Sequence, residues 1–161
     1  MKSLQPNSRD CFVCGISNPI GLKIRFYNIE PGRVEAEYVV PEEFQGYPGI
    51  THGGIVAAML DEITYRSLIV DDPLRMMYTA RLNIRYVKNV PVGVPLKLIG
   101  NAGKLKSRTA TATGAIYDSD GEILAEAEAL LIKVPEDRFG EQDYDTLGWK
   151  IYSDEEINQM G

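Results

Sequence analysis

The segment that decides the fold is Thr51-His52-Gly53-Gly54-Ile55-Val56-Ala57-Ala58-Met59-Leu60-Asp61-Glu62, which contains the only histidine of the chain. Its run from Ile55 to Leu60 has no polar face, which predicts a helix that is buried on all sides. Thr51 can cap this helix by accepting hydrogen bonds from backbone N–H groups one turn later. We expect the helix to extend from about Gly53 to Leu68 and to be stopped by Asp71-Asp72-Pro73.

The head of this predicted helix carries groups that suit chemistry at a carbonyl carbon. Gly53 and Gly54 fall in the first turn, where backbone N–H groups have no partner within the helix. With the positive end of the helix dipole behind them, these N–H groups suit an oxygen that gains negative charge. Asp61 follows within the apolar segment, where a carboxylate is costly unless it is paired or used. Together these residues predict a site for attack on an acyl carbonyl group.

Segments of alternating apolar and polar residues predict strands before and after the helix. They cover residues 22–27, 34–40, 78–87, 94–101, 104–117 and 122–134. Alanine and glutamate in the last segment would also suit a helix, but the turn Asp118-Ser119-Asp120-Gly121 before it favours a strand. Because a helix without a polar face must be enclosed, we expect an α+β fold in which a curved antiparallel sheet wraps around one long central α-helix.

Length and composition indicate one soluble globular domain. A chain of 161 residues is long enough for a hydrophobic core, and its 44% hydrophobic and 25% charged residues are ordinary for this class. No apolar run approaches the ~20 residues that cross a bilayer, and the first residues lack the apolar centre of a secretory signal. We therefore expect a cytoplasmic protein with no membrane partner.

The net charge of −6 lies entirely in the C-terminal tail. Residues 1–134 carry equal numbers of acidic and basic residues, whereas residues 135–161 carry eight acidic residues against Arg138 and Lys150. The lack of a basic stripe argues against nucleic acid as a partner. We divide the chain into a domain over residues 1–134 and an acidic tail over residues 135–161. Within the tail, Ser153-Asp154-Glu155-Glu156 resembles a capping box that starts a short helix.

Cys11 and Cys14 form a Cys-x-x-Cys pair that is followed by Gly15. The pair could be half of a zinc site, but a closed site needs four ligands, and His52 has another expected role. A redox pair is a third interpretation, although no βαβ pattern surrounds it. We favour a tight turn with two half-buried side chains over a metal site, and a metal site over a redox role. A zinc site shared between two subunits stays open, and we assign neither a metal nor a cofactor.

Three motifs resemble hotdog-fold acyl-CoA thioesterases, of the branch that includes the phenylacetate-pathway enzymes and their mitochondrial relatives. The segment Cys11-Phe12-Val13-Cys14-Gly15 is a common opening in this branch, together with Asn18-Pro19 and Gly21-Leu22. His52-Gly53-Gly54 followed by Asp61 matches the signature at the head of the central helix. The residues from Thr79 to Tyr86 resemble the strand after that helix. The resemblance covers about residues 11–134 and implies that a homodimer, or a dimer of dimers (a homotetramer), hydrolyses acyl-CoA to the free acid and coenzyme A.

The resemblance also implies a role for each residue of the site. Asp61 is expected to act as the nucleophile or general base, the Gly53 amide to polarise the thioester carbonyl, and His52 to orient that carbonyl. Thr79 supplies a hydroxyl that helps to place the water. Gln45 stands where relatives bind that water, although the loop after it differs in length from some relatives. The residues expected to contact the acyl group or the coenzyme A phosphates are Gly54, Glu62, Tyr47, Tyr65, Lys88, Lys104 and Arg108.

Other interpretations of the same residues stay open. Glu62 could be the acid, but on a helix it points about 100° away from Asp61. His52 could serve only as a helix cap. Asp61 could belong to a structural ion pair with Arg66 or Arg85. The chain could also be a non-catalytic acyl-CoA binding module, or a hydratase or dehydratase of the same superfamily.

The spacing of the two main groups predicts a site made by two subunits. Gly53 and Asp61 are eight residues apart on one helix, which separates them by about 12 Å along its axis. An oxyanion donor must lie about 3 Å from the carbonyl oxygen, and the attacking group must reach the same carbonyl. Two such helices that run antiparallel across a two-fold axis would bring Gly53 of one subunit to Asp61 of the other.

Overall fold

The computed structural model describes residues 2–160 and divides this range into seven strands and three α-helices. The strands are β1 (Ser3–Leu4), β2 (Tyr27–Glu30), β3 (Arg33–Val39), β4 (Met77–Tyr86), β5 (Pro95–Leu105), β6 (Thr109–Tyr117) and β7 (Ile123–Lys133). The helices are α1 (Gly53–Ser67), α2 (Glu141–Leu147) and α3 (Asp154–Met160), and a 3-10 turn covers Glu42–Phe44. None of the helices in residues 2–160 is both long enough and apolar enough to cross a membrane.

The strands form one curved antiparallel sheet in the order β1-β2-β3-β5-β6-β7-β4. The helix α1 packs against this sheet and contacts β3, β4, β5, β6 and β7. Its side chains Met59, Leu60 and Ile63 are fully buried in the main core. The expected α+β fold, with one long helix against a curved antiparallel sheet, is therefore confirmed.

Two glycines let α1 lie close to the sheet. Gly100 on β5 pairs with Gly114 on β6. A Cβ atom at Gly100 would lie 2.2 Å from the carbonyl oxygen of Ile63, and one at Gly114 would lie 2.8 Å from the Ile63 Cγ2 atom. Protein interiors are close-packed, so a side chain at either position would force the helix outward. The position of α1, and with it that of Asp61, depends on this glycine pair.

Two predicted strand boundaries are wrong. Leu22, Ile24 and Phe26 are buried in alternation as expected, but Lys23 has a φ of 56°, which interrupts an extended strand. The backbone there bonds to the cysteine segment, and the strand begins only at Tyr27. The turn between β5 and β6 covers residues 106–108 rather than 102–103, because the ladder between these strands continues to Leu105.

The strand β4 lies at one edge of the sheet. It pairs with β7 rather than with its successor β5, which instead joins β3. On its outer side β4 has no partner strand within residues 2–160. Its ten residues include Tyr78 and Tyr86, each of which is 54% exposed. A long exposed edge of this kind is a ready template for pairing with another chain.

The C-terminal tail packs onto the rest of the chain. Asn7 and Lys150 form an antiparallel bridge, and the indole N–H of Trp149 donates to the carbonyl of Pro73 at 2.8 Å. The predicted capping box is present, since the Ser153 hydroxyl accepts from the Glu156 N–H at 3.2 Å. The helix α2 was not predicted, because its sequence contains no apolar repeat. The tail and the N-terminal segment therefore stabilise each other.

Candidate active site

The first turn of α1 is capped by His52 and not by Thr51. The His52 Nδ1 atom accepts from the Gly54 N–H at 2.9 Å, whereas the Thr51 hydroxyl donates to the carbonyl of Pro91 at 3.4 Å. Because Nδ1 is an acceptor, a neutral His52 ring carries its proton on Nε2. The Gly54 N–H is therefore occupied within the protein and is not available to a substrate.

The Gly53 N–H remains available. As the first residue of α1, Gly53 has no acceptor for its N–H within the helix, and residues 2–160 offer none elsewhere. Its carbonyl accepts from the Tyr86 hydroxyl at 2.8 Å, and the residue is exposed. An exposed N–H at the positive end of a helix suits an oxygen that gains negative charge.

Asp61 lies two turns further along α1 and is only half-buried. Its Oδ1 atom accepts from the Thr79 hydroxyl of β4 at 2.7 Å. Neither Arg66 nor Arg85 pairs with it, because these side chains bind Glu62 and Glu126 instead. The Asp61 carboxylate is thus oriented by one hydroxyl and keeps its second oxygen free for chemistry.

Glu62 points away from Asp61 and forms an ion pair inside the protein. Its Oε1 atom accepts from Nε of Arg66 at 2.7 Å, and the Arg66 side chain is fully buried while that of Glu62 is 14% exposed. Burial raises the pKa of Glu62, and Arg66 opposes that rise. The guanidinium also lies over the rings of Phe26 at 4.6 Å and Trp149 at 4.9 Å. Glu62 is therefore engaged in this ion pair, and its predicted contact with the substrate stays a prediction.

The two groups at the centre of the prediction lie far apart within one chain. Gly53 contacts Tyr86 at one end of β4, and Asp61 contacts Thr79 near the other end. The helix therefore runs antiparallel to β4, and both groups face the region of this edge strand. Eight residues of helix separate them by about 12 Å along its axis, so one chain does not bring them to the same carbonyl.

Of three other predicted residues, two have structural contacts of their own and one is exposed. The side-chain oxygen of Gln45 accepts from the Gly49 N–H at 3.0 Å, which stabilises the loop before α1. Tyr47 is 77% exposed in this loop. Tyr65 lies one turn after Asp61, donates to the carbonyl of Arg75 at 3.0 Å and packs against the buried apolar cluster around Leu68. Gln45 is therefore held by its own loop, and only Tyr47 is freely exposed.

The predicted phosphate contacts do not gather within one chain. Lys88 follows the Tyr86 end of β4 and lies 3.4 Å from a Glu122 oxygen. Lys104 lies at the end of β5 and Arg108 in the turn that follows it. This turn lies beside Lys133, whose strand pairs with the Met77 end of β4. All three are exposed. At about 3.4 Å per residue, the length of β4 separates the two groups by roughly 30 Å.

Glu62 also belongs to a second cluster, which it forms with the two cysteines of the N-terminal segment. The sulfurs of Cys11 and Cys14 and a Glu62 oxygen lie within 4.8 Å of one another. Both cysteines are free, with Cys14 buried and Cys11 half-buried. The cluster is the one group within residues 2–160 with the donor atoms and spacing for a metal ion.

Sequence reasoning missed two residues that shape the site. Tyr86 anchors the carbonyl of Gly53. It shares its phase with Leu82 and Ile84, so the alternation of β4 gave no signal for this contact. Arg66 forms an ion pair with Glu62. An acid followed four residues later by an arginine on a helix is a sequence signal for such a pair. Together these contacts identify Asp61, and not Glu62, as the carboxylate that remains available.

Comparison with known proteins supports the same fold and motifs. A family model described as "Thioesterase superfamily" matches residues 48–125, which include Gly53, Asp61 and Thr79. Acyl-coenzyme A thioesterase THEM4 of Mus musculus is 31% identical over 110 residues, covering 68% of this chain and 46% of that relative. The chain spans about half the length of the curated relatives it matches.

Solved structures agree with this assignment. A crystal structure of a thioesterase superfamily protein has 28% sequence identity and a TM-score of 0.70, and the match covers 78% of this chain and 60% of that one. A Streptococcus mutans protein bound to acetyl-CoA has 20% identity and a TM-score of 0.63, with 69% and 88% of the two chains covered. The sequence match, the helix signature and the shared architecture lead to one conclusion: the chain belongs to the thioesterase superfamily and has its hotdog fold.

Proposed function

We propose that this protein is an acyl-CoA thioesterase that hydrolyses the thioester bond to a free acid and coenzyme A. The observation that carries the proposal is the half-buried Asp61 carboxylate, which accepts from the Thr79 hydroxyl of β4 at 2.7 Å. The Gly53 N–H, which has no acceptor within residues 2–160, lies beside the other end of the same strand. Acyl-CoA as the ligand class is supported by the name of the THEM4 relatives and by the acetyl-CoA bound to the Streptococcus mutans protein. The predicted cytoplasmic location stays a prediction.

In the proposed reaction the thioester carbonyl oxygen accepts a hydrogen bond from the Gly53 N–H. This donor and the helix dipole behind it stabilise the negative charge that develops on the oxygen. Asp61 either takes a proton from a water molecule as that water attacks the carbonyl carbon, or attacks the carbon itself. When water attacks, Asp61 passes the proton it took to the sulfur as the carbon–sulfur bond breaks, which releases the free acid and coenzyme A. When Asp61 attacks, coenzyme A leaves and takes a proton from solvent, and a water molecule then hydrolyses the acyl–Asp61 anhydride to the free acid and restores the carboxylate. His52, whose Nδ1 atom accepts from the Gly54 N–H, would use its Nε2–H to orient the substrate carbonyl.

A second copy of the chain completes this site. A two-fold axis near Leu82 and Asn83, at the middle of β4, would pair β4 with β4 of the partner in antiparallel orientation. In that register Thr79 lies opposite the partner's Tyr86. Thr79 binds Asp61 and Tyr86 binds Gly53. The Asp61 carboxylate of each copy would therefore lie near the Gly53 amide of the other copy. The pairing covers the exposed edge and gives two equal sites per dimer.

The same two-fold axis would bring the predicted phosphate-binding residues of the two copies to the same end of the site. It brings the Tyr86 end of one β4 to the Thr79 end of the other. Lys88 of one copy then lies at the same end of the site as Lys104 and Arg108 of the second copy. Basic side chains at one end of a site suit the phosphates of coenzyme A. We therefore place the nucleotide part of the substrate at that end, and a dimer of dimers is compatible with this arrangement.

Thioester hydrolysis by the purified full-length chain tests the proposed function. A panel of acyl-CoAs with short, medium, long and aryl acyl groups would be followed by loss of thioester absorbance. We expect turnover that Asp61→Asn removes while acyl-CoA still binds. Binding without turnover by the unchanged protein would indicate a non-catalytic module. Addition of water to an enoyl-CoA, with the thioester intact, would indicate a hydratase.

A further inference from the structure

The turn that contains Cys11 and Cys14 holds the two sulfurs close together. The Gly15 N–H donates to the Cys11 carbonyl at 2.8 Å, and a Cβ atom at Gly15 would lie 2.2 Å from that oxygen. Only glycine therefore fits at this position of the turn. Both sulfurs lie within 4.8 Å of each other and of a Glu62 oxygen. The dithiol thus has a defined geometry beside α1, outside the site proposed for the thioester.

The two thiols have different surroundings. The Cys11 sulfur is half-buried and lies 3.4 Å from the Val13 N–H nitrogen and 3.5 Å from that of Cys14. The Cys14 side chain is buried, and its sulfur lies 3.4 Å from the Ser8 hydroxyl. Hydrogen bonding from the Cys14 thiol lowers the pKa of Cys11 to about 6, although burial and Glu62 act in the opposite direction. The same hydrogen bond and burial raise the pKa of Cys14.

A metal ion fits this cluster less well than the spacing suggests. Structural zinc sites use four protein ligands, and the cluster offers three. One of the three, Glu62, is already bonded to the fully buried guanidinium of Arg66 at 2.7 Å. A divalent cation bound to the Glu62 carboxylate would lie close to this positive group, which would oppose its binding. The position of Arg66 therefore favours a redox role over a metal site here, whereas the sequence alone favoured a tight turn first and a metal site second.

We propose that Cys11 and Cys14 form an oxidisable dithiol that reacts with hydroperoxides. The Cys11 thiolate attacks the peroxide, which breaks the O–O bond, forms a sulfenic acid at Cys11 and releases hydroxide. The Cys14 sulfur then attacks the Cys11 sulfur and expels a second hydroxide, while the Cys14 proton goes to water. Two thiols and one hydrogen peroxide thus give one disulfide and two water molecules. Cys11 is the attacking residue because it is the more exposed thiolate, and Cys14 resolves the intermediate.

Mass spectrometry of the full chain, treated with hydrogen peroxide, tests the proposal directly. We expect the loss of two hydrogens and a peptide that contains a Cys11–Cys14 disulfide, reversed by a dithiol reductant. In Cys14→Ser the reaction should stop at a Cys11 sulfenic acid that a dimedone probe traps. In Cys11→Ser peroxide should react at least about tenfold more slowly. The chain has only these two cysteines, so every thiol product is assigned without ambiguity, and peptide mapping separates these products from oxidation of the five methionines.

A pH profile adds a second readout that does not depend on the oxidant. The groups that face Cys11 are Cys14, Glu62 and, beyond Glu62, the Arg66 cation. Alkylation of Cys11 by iodoacetamide should have a midpoint near pH 6, and Cys14→Ala should move that midpoint upward because the donating thiol is removed. Two intact thiols after peroxide treatment, a Cys14 that reacts first, or a stoichiometric divalent metal retained through purification would each overturn the proposal.

Discussion

Separate replacements of Asp61 and Glu62 should have different effects: the first should lower catalytic activity, and the second should lower the stability of the fold. The two carboxylates are neighbours in sequence, yet Asp61 binds the Thr79 hydroxyl at a half-exposed position and Glu62 binds the fully buried Arg66. In Asp61→Asn the amide oxygen can still accept from Thr79. We therefore expect the free energy of unfolding to change by less than about 1 kcal/mol. Loss of the acid–base group should lower kcat roughly 100- to 10,000-fold, or about 3–5 kcal/mol in activation free energy.

The matched variant Glu62→Gln should show the opposite pattern. It removes the charge partner of a guanidinium whose remaining bonds go to the Pro6 carbonyl and, at 3.4 Å, to Gln5. An uncompensated buried charge costs about 3 kcal/mol or more, so the free energy of unfolding should fall by about that amount. Its kcat should stay within about threefold of that of the unchanged protein. A tenfold lower kcat would require the loss of about 1.4 kcal/mol of transition-state stabilisation, and the proposed reaction gives Glu62 no contact with the transition state.

Urea denaturation and a thioester absorbance assay measure these two quantities on the same protein samples. The absorbance assay avoids thiol reagents, which would react with Cys11. A folded Glu62→Gln protein without turnover, together with an active Asp61→Asn protein, would refute the assignment of the two carboxylates.

Three further changes follow from single contacts. Thr79→Val should lower kcat about tenfold by removing the hydrogen bond to Asp61, with Thr79→Ser near the unchanged rate, and equal rates for both variants would contradict this. Trp149→Ala should lower the free energy of unfolding by about 2 kcal/mol in denaturant titrations, because the ring covers buried Arg66 and anchors the tail; an unchanged midpoint would mean that the tail is only loosely attached. Gly100→Ala should cost about 3 kcal/mol, since its Cβ would meet the Ile63 carbonyl oxygen at 2.2 Å, and a crystal structure with an unmoved helix would show that reasoning to be wrong.

Much of the fold could be predicted because period and polarity are local properties of the chain. The alternation in β6 and β7 and the apolar run of α1 each indicated an element that the structure contains. The partner of β4 could not be predicted in this way, because pairing with β7 rather than β5 is decided by long-range packing. The left-handed backbone of Lys23 and the helix α2 had no apolar period that could indicate them.

The candidate site was predictable in its residues but less so in their contacts. The carboxylate, the glycine amide and the hydroxyl could be read from one motif and one strand. That His52 would cap α1 in place of Thr51 depends on a ring orientation that sequence does not contain. The burial of the ion pair between Glu62 and Arg66 could not be predicted either, because it depends on which side of α1 the N-terminal segment and the tail cover.

The central claim is that Gly53 and Asp61 act on one substrate from two different subunits. Gly53→Pro removes the N–H at the first position of α1, where proline is well tolerated. The preceding residue His52 already has φ −57° and ψ 136°, as a residue before proline requires, and the nearest side-chain atom to an added Cβ lies at 3.7 Å. Gly53→Ala keeps the N–H and is the matched control, which should remain active.

The most direct measurement is the activity of mixed dimers after subunit exchange between Gly53→Pro and Asp61→Asn proteins. Each variant alone should be inactive. A heterodimer has one site with both groups intact and one site with neither, and random mixing makes half of the dimers mixed. The account predicts recovery of about one quarter of the unchanged activity. No recovery, with exchange proven by mass spectrometry of the intact dimers, would contradict it and would mean that each chain carries a complete site of its own.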